Sequence, residues 1–144
     1  MPADSALEFV DTNVLLYAYD AAAGERHQRA AQLVGQLGAK RRGALSVQVL
    51  QEFYVNATRK IEQPLDHGTA VGRVRTLSRW PTHAPKGPDV IAAAELAARV
   101  RLSFWDAMFL RSAAVLGCPT LWSEDLGDGQ RVDDVVVRNP FLDR

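Results

Sequence analysis

Cysteine is nearly absent from this sequence, and so are the long apolar runs that cross membranes. The single cysteine, Cys118, cannot form a disulfide within the chain, and it lies among apolar neighbours as a small core residue does. No run of about 18 apolar residues is present, and the N-terminus lacks the basic and apolar regions of a secretory signal. These absences argue against membrane-spanning and disulfide-stapled classes and predict a cytoplasmic protein.

The sequence also lacks an excess of charge of either sign. Seventeen basic and seventeen acidic residues give a formal net charge of zero, so net charge neither indicates nor excludes a nucleic-acid partner. Hydrophobic residues make up 47% and charged residues 24%, which is typical of a globular protein. With no internal repeat and no linker, residues 1–144 are predicted to form a single domain.

Short apolar segments alternate with helical segments along the chain. Strands are predicted at 7–11, 44–45, 120–122 and 135–137, and helices at about 13–19, 25–37, 47–61, 66–79, 89–100 and 103–116. Residues 81–88 hold three prolines and a glycine and are predicted to form a loop. Short apolar strands between helices are typical of a parallel sheet covered on both faces. We therefore expect a three-layer α/β/α sandwich with a short central parallel sheet.

Asp11 stands where the first apolar strand gives way to a helix. A carboxylate at such a point is costly to desolvate, so it either caps the helix or holds a cation. In open parallel sheets, ligands bind beyond the carboxyl ends of the strands. The position of Asp11 therefore marks this edge of the sheet as the place to look for a site.

Three further acids are predicted to reach the same edge. Glu52 lies six residues after Ser46, the expected helix cap, and is therefore about 9 Å along a helix that begins at that edge. Asp106 lies in the first turn of a helix that returns to the third strand, and Asp125 directly follows that strand. Together with Asp11, these three acids are expected to converge on one rim.

Each of these acids also has a purely structural alternative. Glu52 is also consistent with a solvated helix residue, and Asp106 with the acidic member of a capping box begun by Ser103. Asp125 and Asp128 lie near glycines and are also consistent with turn residues. The joint arrangement of the acids, and none of them alone, favours a functional site.

The chemistry of clustered carboxylates points to a metal ion. At separations of about 4–6 Å, ionised carboxylates raise one another's pKa unless a cation lies between them. Oxygen ligands select hard cations such as Mg²⁺ or Mn²⁺, whereas the scattered histidines and the lone cysteine argue against zinc. Because the chain has no nucleotide-binding loop, this pattern favours metal-assisted phosphodiester hydrolysis.

Four segments resemble, in order along the chain, the motifs of PIN-domain nucleases. They are FVDTNVLLY at 9–17, QEF at 51–53, SFWDA at 103–107 and LWSEDL at 121–126. The resemblance covers nearly the whole chain, including the ending at 137–141, and is strongest to the toxins of VapBC-type bacterial toxin–antitoxin pairs. It implies a PIN-like fold and a metal-dependent endoribonuclease that cleaves single-stranded RNA.

The resemblance also assigns roles to residues and partners. It implies that the four acids, Asp11, Glu52, Asp106 and Asp125, are catalytic residues and ligands of Mg²⁺ or Mn²⁺. By the same resemblance, Asn13 and Ser123 support the carboxylates and water. Many members carry a further acid two residues after the fourth, but Gly127 stands there in this chain, so Asp128 is only a candidate supporting residue. Homodimerisation and inhibition by a small antitoxin are further implications.

An acidic site that cuts RNA needs basic residues around its rim. The candidates are Arg59, Lys60, Arg73, Arg75, Arg79 and Lys86. The densest basic run, Lys40–Arg42, precedes a strand and is therefore expected at the opposite, amino edge. Trp80 and Trp105 are able to stack on bases, but we expect both to be packed.

Three alternatives to a nuclease would each use Asp11 or the acidic pocket differently. A phosphatase that uses Asp11 would need a second aspartate where Asn13 stands, and a receiver domain would need an acidic pair before the end of the first strand. Neither pattern is present. The third alternative is a catalytically silent interaction module whose acidic pocket only receives a basic partner peptide, and the sequence leaves it open.

Overall fold

The structure is a computed structural model and describes residues 6–143. Within these residues the strands are β1 Glu8–Val10, β2 Gly43–Ser46, β3 Thr82–His83, β4 Thr120–Trp122, β5 Arg131–Val132 and β6 Val135–Arg138. The helices are α1 Thr12–Ala18, α2 Glu25–Ala39, α3 Val47–Arg59, α4 His67–Leu77, α5 Gly87–Val100 and α6 Phe104–Val115, and a 3₁₀ turn lies at Ala21–Ala23. What was predicted for the first five residues lies outside the described range, and the single domain over 1–144 stays a prediction.

The sheet is parallel except at one edge. Its strand order is β3-β2-β1-β4-β6-β5, and only the outer strand β5 runs antiparallel to its neighbour. The chain moves outward from β1 to β2 and β3 and then returns to β4 on the other side of β1. Right-handed crossovers therefore place α1 to α4 on one face and α5 with α6 on the other. The expected three-layer sandwich is confirmed, and its strand order reverses between β1 and β4.

The core lies along the central strands. Phe9, Leu45 and Leu121, on three neighbouring strands, are fully buried, and each such side chain stabilises the fold by about 1.5–3 kcal/mol. Gly43 starts β2 beneath the indole of Trp80, where a Cβ atom would lie only 2.3 Å from Cζ3 of the ring. The packing expected for Trp80 is thereby confirmed, and it explains why a glycine occupies this strand.

Trp105 is the exception among the tryptophans expected to be packed. Its side chain is 61% exposed at the start of α6, where it meets the ring of Phe104 edge-on at 5.1 Å between centroids. The expectation was wrong because Trp105 lies on the outer side of the first turn of α6.

Two helix boundaries lie at residues predicted to set them. Ser46 caps α3 by accepting a hydrogen bond from the amide of Val49 at 3.3 Å. Gly117 ends α6 with a φ of 72°, and its amide and that of the buried Cys118 bond back to the last turn of the helix. The chain can therefore turn at once into β4.

The loop predicted for 81–88 was wrong in part. Residues 82–83 pair with β2 as the edge strand β3, and the preceding Pro81 carbonyl accepts a bond from Leu45. Proline is tolerated here because the strand lies at an edge. Helix α5 begins at Gly87, two residues earlier than expected, since Pro88 in the first turn needs no amide donor.

Strand β5 was missed altogether. Its two residues, Arg131 and Val132, return through a turn at Asp133 (φ 51°) to pair with β6. Two residues are too few to show an alternating pattern in the sequence. The other predicted boundaries differ from the structure by one or two residues.

The basic run before β2 lies at the amino edge, as predicted. Arg42 forms an ion pair with Glu8 at 2.7 Å, and its carbonyl accepts a bond from the Glu8 amide at the start of β1. Lys40–Arg42 therefore lies at the opposite edge of the sheet from Asp11. Across residues 6–143, none of the helices has the length and apolar character needed to cross a membrane.

Candidate active site

Asp11 follows the last paired residue of β1 and lies inside the protein. Its amide continues the sheet by bonding to the Trp122 carbonyl at 3.0 Å, and its side chain is only 3% exposed. The Ser123 hydroxyl donates a hydrogen bond to Oδ2 of Asp11 at 2.7 Å. Although Asp11 occupies the N-cap position of α1, its carboxylate makes no capping hydrogen bond. The Ser123 hydrogen bond, rather than a helix cap, is therefore the main hydrogen bond of this carboxylate.

The surroundings of Asp11 disfavour its ionised form. Burial raises the pKa of its carboxyl from 3.8 to about 7, and the negative charges of Asp125 and Glu52 add to this effect. The Ser123 hydrogen bond and the nearby Asn13 amide lower the pKa, but by less than burial raises it. Asp11 is thus a carboxylate whose charge is not balanced by the protein around it.

Ser123 joins Asp11 to Asp125. While its hydroxyl donates to Asp11, the same oxygen accepts a bond from the Asp125 amide at 3.1 Å, and the serine is fully buried. The Asn13 side-chain amide donates to Oδ2 of Asp125. Burial, then Asp106 and Glu124, raise the pKa of Asp125, and the Asn13 bond lowers it. Both predicted supporting residues therefore contact acids of the site.

Glu52 reaches back along α3 toward Asp11. Its carboxylate accepts one bond from the Thr12 hydroxyl at 2.9 Å and another from the Gln48 side-chain amide at 3.0 Å. It is half-buried, so the alternative of a solvated helix residue is wrong. Sequence reasoning missed Thr12 and Gln48. The available signals were the position of Thr12 beside Asp11 and the four-residue spacing from Gln48 to Glu52.

Asp106 completes the group from the other face of the sheet. The Ser103 hydroxyl accepts a bond from the Asp106 amide at 3.1 Å, but the reciprocal bond of a capping box, from the Ser103 amide to the Asp106 carboxylate, is not made. That carboxylate makes no hydrogen bond or ion pair with any residue from 6 to 143. It lies close enough to Asp125 to raise the pKa of the Asp125 carboxyl.

Asp128 has a different role. Its Oδ1 accepts a hydrogen bond from the Asn139 amide at 2.9 Å. This contact ties the loop after β4 to the end of β6. Asp128 therefore behaves as a loop residue, which agrees with its alternative interpretation as a turn residue.

The four acids share one rim and have no cationic partner in the described part of the chain. None of Asp11, Glu52, Asp106 and Asp125 takes part in an ion pair there, although ion pairs occur elsewhere on the surface. Glu124, next to Asp125 in the sequence, is paired with Arg26 at 2.5 Å. Across residues 6–143, no three His, Cys, Asp or Glu side chains already surround one metal-sized point. Sharing one ion would therefore require these carboxylates to move closer together.

A second chain of polar residues, Ser112, His83 and Asp89, has the order of a hydrolase triad. Nδ1 of His83 lies 2.8 Å from the Ser112 hydroxyl, and Nε2 lies 3.3 Å from Asp89. However, Ser112 is fully buried, so no substrate can reach its oxygen. We interpret these contacts as structural, because they hold the edge strand β3 against α5 and α6.

The basic residues proposed for RNA binding are dispersed over the surface. Arg73 covers the ring of Tyr19, with 5.0 Å between its guanidinium carbon and the ring centroid. Lys60, by contrast, lines a cavity that also contains Asn13. Of these candidates, Lys60 is the one that shares a cavity with a residue of the site.

Comparison with known proteins supplies the family context. The sequence model of the PIN domain matches residues 9–133. Among solved structures, the chain is similar to a toxin–antitoxin complex from Klebsiella pneumoniae, with a TM-score of 0.70, 18% identity, and coverage of 93% of this chain and 98% of that one. A search of curated proteins found no matching sequence.

Two further structures have the same fold. DNA-bound VapBC from Salmonella typhimurium has a TM-score of 0.64 and 16% identity, over 93% of this chain and 98% of that one. VapC20 from Mycobacterium tuberculosis, described as a sarcin–ricin loop cleaving toxin, has a TM-score of 0.62 and 23% identity, over 81% and 90%. At these identities the likeness establishes the fold. Together with the domain match, it confirms the resemblance read from the motifs.

Proposed function

The chain belongs to the PIN domain family, and on that premise we propose that it is a metal-dependent endoribonuclease that cleaves single-stranded RNA as the toxin of a bacterial toxin–antitoxin pair. One observation carries the proposal. Four carboxylates lie along the sheet edge where the strand order reverses between β1 and β4, with no ion-pair partner in residues 6–143. Ligands of open α/β sheets bind at such a reversal.

The residues present fit a hard divalent cation. The donors at the rim are carboxylate, hydroxyl and amide oxygens, and the burial that raises the pKa of Asp11 also makes a bound cation favourable there. Mg²⁺ or Mn²⁺ would be held by the four acids, Asp11, Glu52, Asp106 and Asp125. When bound, such an ion activates water and stabilises the charge that develops on the phosphate.

The neighbouring polar residues set the spacing of the acids. Ser123 holds an oxygen of Asp11 and the backbone of Asp125 at the same time, so these two acids keep a fixed separation. Thr12 and Gln48 orient both oxygens of Glu52. Such supporting bonds reduce the reorganisation that ligand binding requires.

A protein partner belongs to the same proposal. An acidic rim without internal ion pairs is suited to receive a basic side chain from an antitoxin. Two of the similar solved structures are toxin–antitoxin complexes, which supports a cognate antitoxin for this chain. We also propose that the protein acts in the cytoplasm as a homodimer.

Cleavage of labelled single-stranded RNA in Mn²⁺ tests the enzymatic activity. We expect the wild type to cut and Asp11→Asn to lose far more than the about 10–100-fold that removal of a supporting residue costs. EDTA should abolish the activity. The matched control is Asp134→Asn, which changes an exposed carboxylate at the opposite edge of the sheet and should cut as the wild type does.

Two outcomes would reject the nuclease. Equal cleavage by the wild type and Asp11→Asn would indicate a contaminating activity. No cleavage by either protein, together with Asp11-dependent binding of an arginine-rich peptide, would favour the catalytically silent interaction module instead.

A further inference from the structure

A cavity opens beside the acids, between α1 and the end of α3. Its volume is about 370 Å³, within the range of roughly 300–1,000 Å³ that ligand pockets occupy. Asn13 lines this cavity and also bonds to Asp125. A single side chain therefore separates the cavity from the acidic rim.

We propose that this cavity, here named the base pocket, holds one unstacked nucleobase of the RNA next to the phosphodiester that is cut. The inference rests on the proposed nuclease function and adds to it the part of the substrate that is read. Enzymes that recognise single-stranded RNA commonly bind splayed bases through their polar edges and aromatic or apolar faces.

The walls of the base pocket suit the faces of a base. Leu16 and Ile61 supply apolar surface, and the ring of Tyr17 lies on the same side of α1 as Asn13, four residues earlier. Tyr17 is held by its hydroxyl, which donates to Glu124 at 3.2 Å, and by an edge-on contact with Phe141. These contacts, together with the Arg26 guanidinium that lies over the ring 5.9 Å from its centroid, fix the aromatic wall before any ligand enters.

Asn56 supplies a polar group suited to the edge of the base. Its half-buried side-chain amide makes no hydrogen bond within the described chain and lines the cavity. One amide offers both a donor and an acceptor, which is the pattern that a base edge requires. Asp20 and Glu62 add carboxylate acceptors, so the pocket favours bases with amino donors, namely adenine, guanine and cytosine, over uracil.

Lys60 is the only basic residue among those that line the pocket. It forms no ion pair with any carboxylate of residues 6–143, so its charge is available to a ligand. The carboxylates of Asp20 and Glu62 would repel a phosphate from the interior. The base therefore takes the interior, and Lys60 pairs with the adjoining phosphate at the mouth.

Steady-state cleavage of short RNAs tests the base pocket. The substrates are equal in length and differ at one position, which carries either uracil or a base with an amino group. We expect Lys60→Gln to raise the apparent KM about tenfold with kcat within about twofold, and to reduce the salt slope of binding by about 1. Asn56→Ala should reduce the preference between the substrates at least about fivefold.

Matched controls isolate the role of the pocket. Lys40→Gln removes an exposed lysine at the amino edge and should leave KM and the salt slope unchanged. Circular dichroism verifies that each variant is folded. If Asn56→Ala is not folded, the nearly isosteric Asn56→Asp replaces it, because it also removes the amide donor and should change the preference.

The outcomes separate the two proposals. A wild type that cuts, with both pocket variants keeping its KM, salt slope and base preference, would overturn the base pocket and leave the nuclease intact. A wild type that cuts no RNA in Mn²⁺ would overturn the nuclease, and the base pocket with it.

Discussion

Replacing Asp11 with asparagine should stabilise the metal-free protein at neutral and alkaline pH while removing its proposed activity. Burial, together with nearby acids, raises the pKa of this carboxyl from 3.8 to about 7. Each pKa unit corresponds to about 1.4 kcal/mol, so ionising Asp11 costs up to about 4 kcal/mol more in the folded protein than in the unfolded chain.

The sign of the pH dependence follows from the direction of this pKa shift. Because the folded pKa lies above the unfolded value, the folded state holds the proton more tightly. The contribution of Asp11 to the free energy of unfolding is therefore greatest below about pH 4, and it is lost as the pH rises to about 7. Asparagine stays neutral, can still accept the Ser123 hydrogen bond, and escapes this loss.

Urea unfolding in EDTA at pH 4, 6 and 8 measures the effect. Relative to the wild type, Asp11→Asn should gain about 1–4 kcal/mol between pH 4 and pH 8, or roughly 2–4 °C in Tm for each kcal/mol. Asp134→Asn, the control at the opposite edge, should show no such pH-dependent gain. Added Mn²⁺ should stabilise the wild type and not Asp11→Asn, because the proposed metal site requires the Asp11 carboxylate.

A stability difference between wild type and Asp11→Asn that stays constant from pH 4 to pH 8 would refute this reasoning. It would mean that the Asp11 carboxylate is solvated or paired in the folded protein. The burial seen at the end of β1 would then not describe the protein in solution.

Two more predictions test the supports of the site and of the sheet. Ser123→Ala removes the hydroxyl that donates to Asp11, so Mn²⁺ affinity by calorimetry and the cleavage rate should each fall about 10–100-fold, and unchanged values would remove Ser123 from the site. Gly43→Ala places a methyl group against Trp80 and should lower the free energy of unfolding by about 1–3 kcal/mol. The control Gly35→Ala lies at an open position of helix α2 and should raise the free energy of unfolding by up to about 1 kcal/mol. Equal effects of the two substitutions in urea titrations would contradict the packing of Gly43 against Trp80.

The sequence was sufficient to predict the position of the acids because each lies next to an element that a strong local signal defines. Asp11 ends an apolar run, and Asp125 follows another. Glu52 and Asp106 lie close behind Ser46 and Ser103, both of which cap helices in the structure. The topology of a parallel sheet then brings these chain segments to one edge.

What the sequence could not predict depends on contacts between distant residues. Thr12 and Gln48 carry no motif of their own, and only the folded chain directs both at Glu52. Strands β3 and β5 have two residues each and form because they pair with a neighbouring strand, β2 and β6 respectively. The exposure of Trp105 likewise follows from its orientation on α6, which composition does not determine.

A crystal of the protein grown with Mn²⁺, examined by anomalous diffraction, shows whether the four acids bind a metal ion. We expect a manganese peak at the carboxyl edge of β1 and β4, within about 2.3 Å of an oxygen of Asp11 and with oxygens of Asp106 or Asp125 among its ligands. Crystals of Asp11→Asn should lack this peak. An accessible acidic rim that shows no manganese at millimolar concentrations, or the same peak in Asp11→Asn, would contradict this expectation.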